Sequence, residues 1–113
     1  MQDIPEIQKA LLEFRDARNW AQFHNPKDLA LALSIEAGEL NELYLWKKEE
    51  ELDQVDREKI REELADVFAY GFLLADHYQF DVGKMVLDKI DKNRLKYPVD
   101  KAWSNAKKYK DLR

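Results

Sequence analysis

Apolar residues recur every three or four positions along four stretches of the chain, which is the spacing of α-helices with one buried face. The first stretch covers about residues 4–18, with Pro5 in the first turn, where proline is tolerated. The second begins at an Asn25 N-cap and continues to about residue 48. Both patterns predict amphipathic helices that pack one face against the rest of the protein.

The second half of the chain repeats this arrangement. A third helix is predicted over about residues 57–78, after an acidic stretch expected to be a solvated loop or a frayed helix end. The fourth starts at an Asp81 cap and ends before Pro98, since the residue preceding proline is disfavoured in a helix. Residues 98–113 have no clear period and are predicted to dock as a tail on the bundle or on a neighbour. The pattern therefore predicts an all-α, four-helix-bundle-like fold.

Composition narrows the class of protein. With 113 residues, 45% of them hydrophobic, the chain has room for one domain, predicted over residues 1–113. There is no cysteine, so disulfides and thiolate metal sites are excluded. A net charge of −4 with mixed signs argues against a nucleic-acid polymer as partner. The longest apolar run, residues 67–75, is too short to cross a membrane, and the N-terminus lacks a signal-peptide pattern, so we expect a soluble, cytoplasmic protein.

Two pairs of acidic residues lie within apolar helical segments. Glu36 and Glu39 fall inside the second predicted helix, and Glu63 and Asp66 open an equally apolar part of the third. At about 100° per residue, both pairs lie on the shoulder of the apolar stripe rather than opposite to it. The predicted stripes are Leu29, Leu33, Ala37, Leu40 and Tyr44 in the second helix, and Leu64, Val67, Phe68, Gly71, Leu74 and Ala75 in the third.

Carboxylates that converge near a core repel one another and are costly to desolvate. Either a bound cation or nearby lysine and arginine side chains must neutralise their negative charge, and the residues alone leave both possibilities open. Oxygen ligands without cysteine or histidine favour Mg²⁺, or else Mn²⁺. A di-iron centre is excluded, because neither His24 nor His77 follows a glutamate at the required spacing.

The order of these motifs resembles the MazG-like superfamily of all-α nucleoside triphosphate pyrophosphohydrolases, in particular the small dCTP-pyrophosphatase type. The resemblance covers about residues 20–98. It rests on Glu36-x-x-Glu39, Glu63-x-x-Asp66, Phe23-His24-Asn25-Pro26, Gly38-Glu39-Leu40, Trp46-Lys47 and the run from Lys89 to Pro98. One departure is Lys96, where such proteins often carry arginine; lysine keeps the charge but loses the bidentate fork.

The resemblance implies a Mg²⁺-dependent enzyme that cleaves a nucleoside triphosphate, for example dCTP, into the monophosphate and pyrophosphate, for cleansing or balancing the nucleotide pool. It implies a dimeric core, with a homodimer or homotetramer as the assembly. The acids Glu36, Glu39, Glu63 and Asp66 are then the metal ligands and catalytic residues, and either Glu36 or Glu39 could orient or deprotonate the attacking water. The substrate-binding residues are expected to be Trp20, Phe23, His24, Trp46, Tyr70, Lys89, Asn93 and Lys96.

Two other functions remain open from the sequence. Another branch of the same superfamily would hydrolyse dUTP, phosphoribosyl-ATP or a damaged nucleotide. A non-catalytic helical oligomerisation module would need neither Mg²⁺ nor a nucleotide, but it would also have no use for two acid pairs in apolar helices.

Overall fold

The computed structural model describes residues 3–112 and, within that range, contains α-helices and short 3₁₀ turns but no strand. This confirms the all-α prediction. The α-helices are α1 (Ile4–Ala17), α2 (Pro26–Glu42), α3 (Arg57–His77), α4 (Val82–Lys96) and the short α5 (Val99–Ala102). The 3₁₀ turns are Ala21–Phe23, Glu49–Gln54 and Tyr109–Asp111.

Each of the four long helices begins at a capping side chain. Asp3, Asn25, Asp56 and Asp81 accept hydrogen bonds from backbone N–H groups in the first turn of their helices, at 2.9, 2.8, 2.9 and 3.0 Å. These groups have no partner inside the helix, so a cap contributes about 1 kcal/mol. The caps predicted at Asn25 and Asp81 are both present.

The end of α2 differs from the prediction. The helix stops at Glu42, not near residue 48, and the backbone continues in tighter i to i+3 hydrogen bonds, including Leu45 N–H to the Glu42 carbonyl at 3.1 Å. At Trp46 the backbone then adopts the left-handed conformation, with φ of 63°. A right-handed helix of L-residues cannot continue through this conformation. The acidic stretch that follows, predicted to be a solvated loop or a frayed helix end, forms the 3₁₀ turn Glu49–Gln54.

The chain divides into two compact units, one up to Phe80 and one from Asp81 onward. In the first unit α2 packs along α3, and α1 packs on α3 as well. The side-chain amide of Gln8 on α1 donates to the carbonyl of Phe72 on α3 at 3.2 Å. The most buried apolar side chains are Leu29 on α2 and Leu73 and Ala75 on α3, so the core lies where these helices meet.

The apolar stripe predicted on α3 is only partly correct. Ala75 is buried, but Leu64 and Phe68 are 40% and 55% exposed. Burial concentrates at residues 69–76, in the half of α3 that α1 also covers. The prediction failed at Leu64 and Phe68 because it assumed that every apolar stripe is covered within the chain.

The second unit consists of α4, α5 and the final 3₁₀ turn. The Tyr109 ring lies edge-on to Tyr97, with centroids 6.3 Å apart, and Lys96 Nζ lies 4.9 Å from the centre of the Tyr109 ring. The end of the chain thus contacts the C-terminal end of α4. No helix among residues 3–112 is long and apolar enough to span a membrane.

Candidate active site

The packing of α2 against α3 brings three glutamates together. Glu36 and Glu39 lie one helical turn apart on α2, and Glu63 lies near the start of α3. One carboxylate oxygen from each lies within 4.8 Å of the others, a separation that suits a shared cation. We call these three residues, with Asp66 one turn beyond Glu63, the acidic cluster.

Two carboxylates of the acidic cluster, Glu36 and Glu63, lie in surroundings that disfavour their charged form. Glu36 Oε2 and Glu63 Oε2 are buried and have no hydrogen-bond partner. Desolvation raises the pKa of Glu36 to about 7, with further contributions from its hydrogen bond to Glu39 and from the charges of Glu39, Asp66 and Glu63. Desolvation likewise raises the pKa of Glu63, followed by the charge of Glu39.

The open alternative was that lysine and arginine neutralise these acids. None of the ion pairs formed among residues 3–112 includes a member of the acidic cluster; the acids that do pair are Glu13, Asp16, Asp28, Glu58, Asp88 and Asp91. Buried carboxylate oxygens without partners are rare unless a ligand is to be bound. The geometry therefore favours a cation over neutralisation by side chains.

A cavity of about 280 Å³ adjoins the acidic cluster, because Asp66 both belongs to the cluster and lines the cavity. It is walled by α1, by the turn that precedes α2, and by α3. The lining residues are Leu11, Phe14, Arg15, Trp20, His24, Asp66, Ala69, Tyr70 and Leu73. Its walls are mostly apolar with a few polar groups, as in sites for small organic ligands, and its size is close to the lower end of such sites, roughly 300 Å³.

Two polar groups in the cavity have defined protonation states near neutral pH. Burial lowers the pKa of His24, and the charge of Arg15 lowers it further, so the imidazole is neutral. Its Nδ1 atom is buried and has no hydrogen-bond partner. Burial raises the pKa of Tyr70, as do the charges of Glu36, Asp66 and Glu39, so its hydroxyl remains a hydrogen-bond donor.

Not every predicted substrate-binding residue lies at this cavity. Trp20, His24 and Tyr70 line it, whereas Phe23 and Trp46 do not and are 62% and 89% exposed. The predicted phosphate contacts, Lys89, Asn93 and Lys96, belong to α4 in the second unit. Their role stays a prediction, as does the assignment of the four acids as ligands.

Several cavity residues were not singled out from the sequence. Leu11 and Phe14 belong to the apolar face of α1 and looked like ordinary core positions, and Ala69 and Leu73 carry no chemical signal. Arg15 lies in a charged stretch where a solvated side chain is the usual outcome. Only the crossing of α1 over α3 reveals that these residues share a cavity with Asp66.

Comparison with known proteins decides the family. Residues 31–112, most of the chain, match the model of the MazG-like family. The chain belongs to the MazG-like family. The matched range contains all four acids of the acidic cluster, whereas α1 and the turn with Trp20 and His24 precede it.

Curated and structural relatives agree with this assignment. The chain is 40% identical over 114 residues to dCTP pyrophosphatase 1 of Bos taurus, covering 96% of this chain and 68% of that protein. It is also 40% identical to dCTP pyrophosphatase 1 of Homo sapiens, and the match covers 96% of this chain and 67% of that protein. A solved structure of a pyrophosphatase from Archaeoglobus fulgidus DSM 4304 superposes with a TM-score of 0.81 at 36% identity, covering 87% of this chain and 94% of that one.

These relatives confirm the class of enzyme predicted from the sequence. The chain is a nucleoside triphosphate pyrophosphohydrolase of the all-α type.

Proposed function

We propose that this protein hydrolyses a deoxynucleoside triphosphate, with dCTP as the first candidate, to the monophosphate and pyrophosphate in a Mg²⁺-dependent reaction. The observation that carries the proposal is the acidic cluster, with two buried, unpartnered carboxylate oxygens, next to a cavity of nucleoside size. The printed names of the curated relatives favour dCTP among the possible substrates.

The residues present fit a hard divalent cation. Glu36, Glu39 and Glu63 offer carboxylate oxygens close enough to share one ion, and Asp66 lies one turn away. A bound Mg²⁺ would neutralise charge on the phosphates and satisfy the orphaned oxygens Glu36 Oε2 and Glu63 Oε2.

The side chains of the chain itself supply the rest of the chemistry. A carboxylate of the acidic cluster, Glu36 or Glu39, orients a water molecule and accepts its proton. The water oxygen bonds to phosphorus, the bridging bond between the α- and β-phosphates breaks, and the pyrophosphate departs.

The cavity holds the nucleoside end of the substrate. Trp20, which is 43% exposed at the cavity wall, offers a flat apolar surface for the base. Tyr70 lies one turn beyond Asp66, and its hydroxyl donates a hydrogen bond to the sugar or to a phosphate. The neutral His24 offers one donor and one acceptor to the substrate.

The functional assembly is a homodimer or a pair of dimers. On α2 and α3 the apolar side chains Leu31, Ile35, Leu64 and Phe68 are 40% to 56% exposed, and a group of exposed apolar side chains often marks an interface between proteins. Light scattering should give a mass of at least twice that of the chain, and Phe68→Glu should shift it towards the monomer. A monomeric wild type would contradict this part of the proposal.

The decisive experiment incubates the pure protein with each common deoxynucleoside and nucleoside triphosphate, with Mg²⁺ and with EDTA, and resolves the products by chromatography. We expect monophosphate and pyrophosphate with Mg²⁺ only, and the highest kcat/KM for dCTP. Diphosphate and phosphate would mean cleavage of the wrong bond. A preference for dUTP would assign the protein to another branch of the superfamily. Absence of turnover of every common nucleotide would contradict dCTP as the substrate and point to a modified nucleotide.

A further inference from the structure

One wall of the cavity beside the acidic cluster carries a positive charge. Arg15, on α1, lines the cavity together with Trp20 and His24, and its side chain is only 23% exposed. Such burial is uncommon for arginine unless the guanidinium has a partner. Nothing in the reaction outlined above uses this residue.

Most of the hydrogen-bonding capacity of Arg15 is unused. Within residues 3–112 its guanidinium contacts one acid, the neighbouring Asp16, with Nε and Nη2 both 2.9 Å from the same oxygen. Asp16 is 59% exposed, and a surface pair of this kind holds an arginine only weakly. Since arginine carries five N–H donors and no acceptor, several donors remain available to a ligand in the cavity.

The charged residues that line the cavity belong to different elements. Arg15 is on α1, next to the turn that carries Trp20 and His24, whereas Asp66 is on α3, one turn from Glu63 of the acidic cluster. A nucleotide whose phosphates lie at the acidic cluster therefore presents its base, not its phosphates, to Arg15. On a base, the groups that accept a hydrogen bond from a donor-only side chain are the carbonyl oxygens and the unprotonated ring nitrogens, and of these adenine lacks the carbonyl oxygen.

We propose that Arg15 is a specificity-determining residue, which donates a hydrogen bond from its guanidinium to a carbonyl oxygen of the nucleotide base. This inference rests on the proposed function. It predicts a preference for bases that carry a carbonyl group, which are cytosine, uracil, thymine, guanine and hypoxanthine, over adenine, which has none.

The test compares Arg15→Met with Arg15→Lys and with Arg61→Met. Methionine keeps most of the apolar stem of the side chain and removes every donor, and lysine keeps the charge but not the planar fork. Arg61 is a matched control, because it lies on α3 with an 80% exposed side chain and pairs only with Glu58 among residues 3–112. The substrates are dCTP, dITP and dATP. The bases of dITP and dATP share the purine ring system, but dITP carries a carbonyl group at the position where dATP carries an amino group.

Loss of a charged hydrogen bond typically weakens binding about 10- to 100-fold. We therefore expect Arg15→Met to lower kcat/KM about 10-fold or more for dCTP and dITP, mainly through KM, and to leave dATP within about 2-fold. Arg15→Lys should fall between wild type and Arg15→Met, and Arg61→Met should match wild type. An equal loss on all three substrates would place Arg15 on the sugar or phosphates and overturn the proposal, as would no loss on any.

A binding measurement separates this proposal from the proposed function. If the wild type turns over none of the nucleotides, the proposed function fails, and calorimetric titration with dCMP, dIMP and dAMP then decides on Arg15 without turnover. Weaker binding of dCMP and dIMP but not of dAMP to Arg15→Met supports the assignment. Equal weakening, unchanged affinities or no measurable binding to wild type would refute it.

Discussion

Replacing Glu36 with glutamine should stabilise the metal-free protein and strongly reduce its stabilisation by Mg²⁺. In the folded chain Glu36 Oε2 is buried without a partner and faces the charges of Glu39, Asp66 and Glu63. Glutamine has nearly the same shape but no charge. The substitution therefore removes the repulsion while leaving the packing of α2 on α3 in place.

The size of the effect follows from the pKa of Glu36, which rises from an ordinary 4.5 to about 7. Each tenfold change in proton affinity corresponds to about 1.4 kcal/mol, so ionised Glu36 destabilises the fold by at most about 3 kcal/mol. Partial solvent access reduces this to about 1–2 kcal/mol. For a domain of this size that is an increase in Tm of about 4–8 °C.

Thermal unfolding at pH 8, in EDTA and in Mg²⁺, measures both effects. Wild type should gain Tm on addition of Mg²⁺, because a ligand that binds only the folded state stabilises it. Glu36→Gln should start from a higher Tm in EDTA and gain much less. Glu13→Gln, a substitution of a glutamate on α1 with a 68% exposed side chain, should change neither value by more than the small amount typical of a surface site. A lower Tm of Glu36→Gln in EDTA, or an undiminished Mg²⁺ effect, would refute the assignment of Glu36.

Three further predictions follow from the site. Glu39→Gln and Asp66→Asn should each abolish Mg²⁺-dependent pyrophosphate release while the circular dichroism spectrum stays helical; full activity in both would contradict the ligand assignment. Trp46 does not line the cavity, and its assignment to the nucleotide follows from the family resemblance; on that ground Trp46→Ala should raise KM more than it lowers kcat in steady-state assays with dCTP. An unchanged KM would exclude contact with the nucleotide. In EDTA, the free energy of unfolding should fall as the pH rises from about 4.5 to 7, because folded Glu36 keeps its proton up to a pKa of about 7 whereas unfolded Glu36 releases it near 4.5. Urea titrations across this pH range should show a smaller fall for Glu36→Gln than for wild type. Identical pH profiles for the two proteins would count against the pKa shift.

Features set by neighbouring residues could be predicted from the sequence. Caps at Asn25 and Asp81 depend on a side chain and a backbone group three positions apart, and both are visible in the sequence. The convergence of Glu36 and Glu39 with Glu63 was also predictable, since successive helices that each carry an apolar stripe pack against one another and both acid pairs border those stripes.

Features set by the crossing of distant segments could not be predicted. The left-handed backbone at Trp46, which ends the turn after α2, has no signal in the residue type, because tryptophan rarely adopts it. Exposure of Leu64 and Phe68 depends on how far α1 extends over α3. The basic wall formed by Arg15 depends on the same crossing, and charge patterning alone would place that side chain in solvent.

The attachment of α1 bears on how such an enzyme can change its substrate. The acidic cluster is carried entirely by α2 and α3, whereas α1 and the turn after it carry Arg15, Trp20 and His24. Apart from side-chain packing, α1 is tied to α3 by the hydrogen bond from Gln8. Substitutions on α1 can therefore change the part of the cavity wall proposed to contact the base without replacing any carboxylate of the acidic cluster, so base preference and hydrolytic chemistry can change independently among relatives.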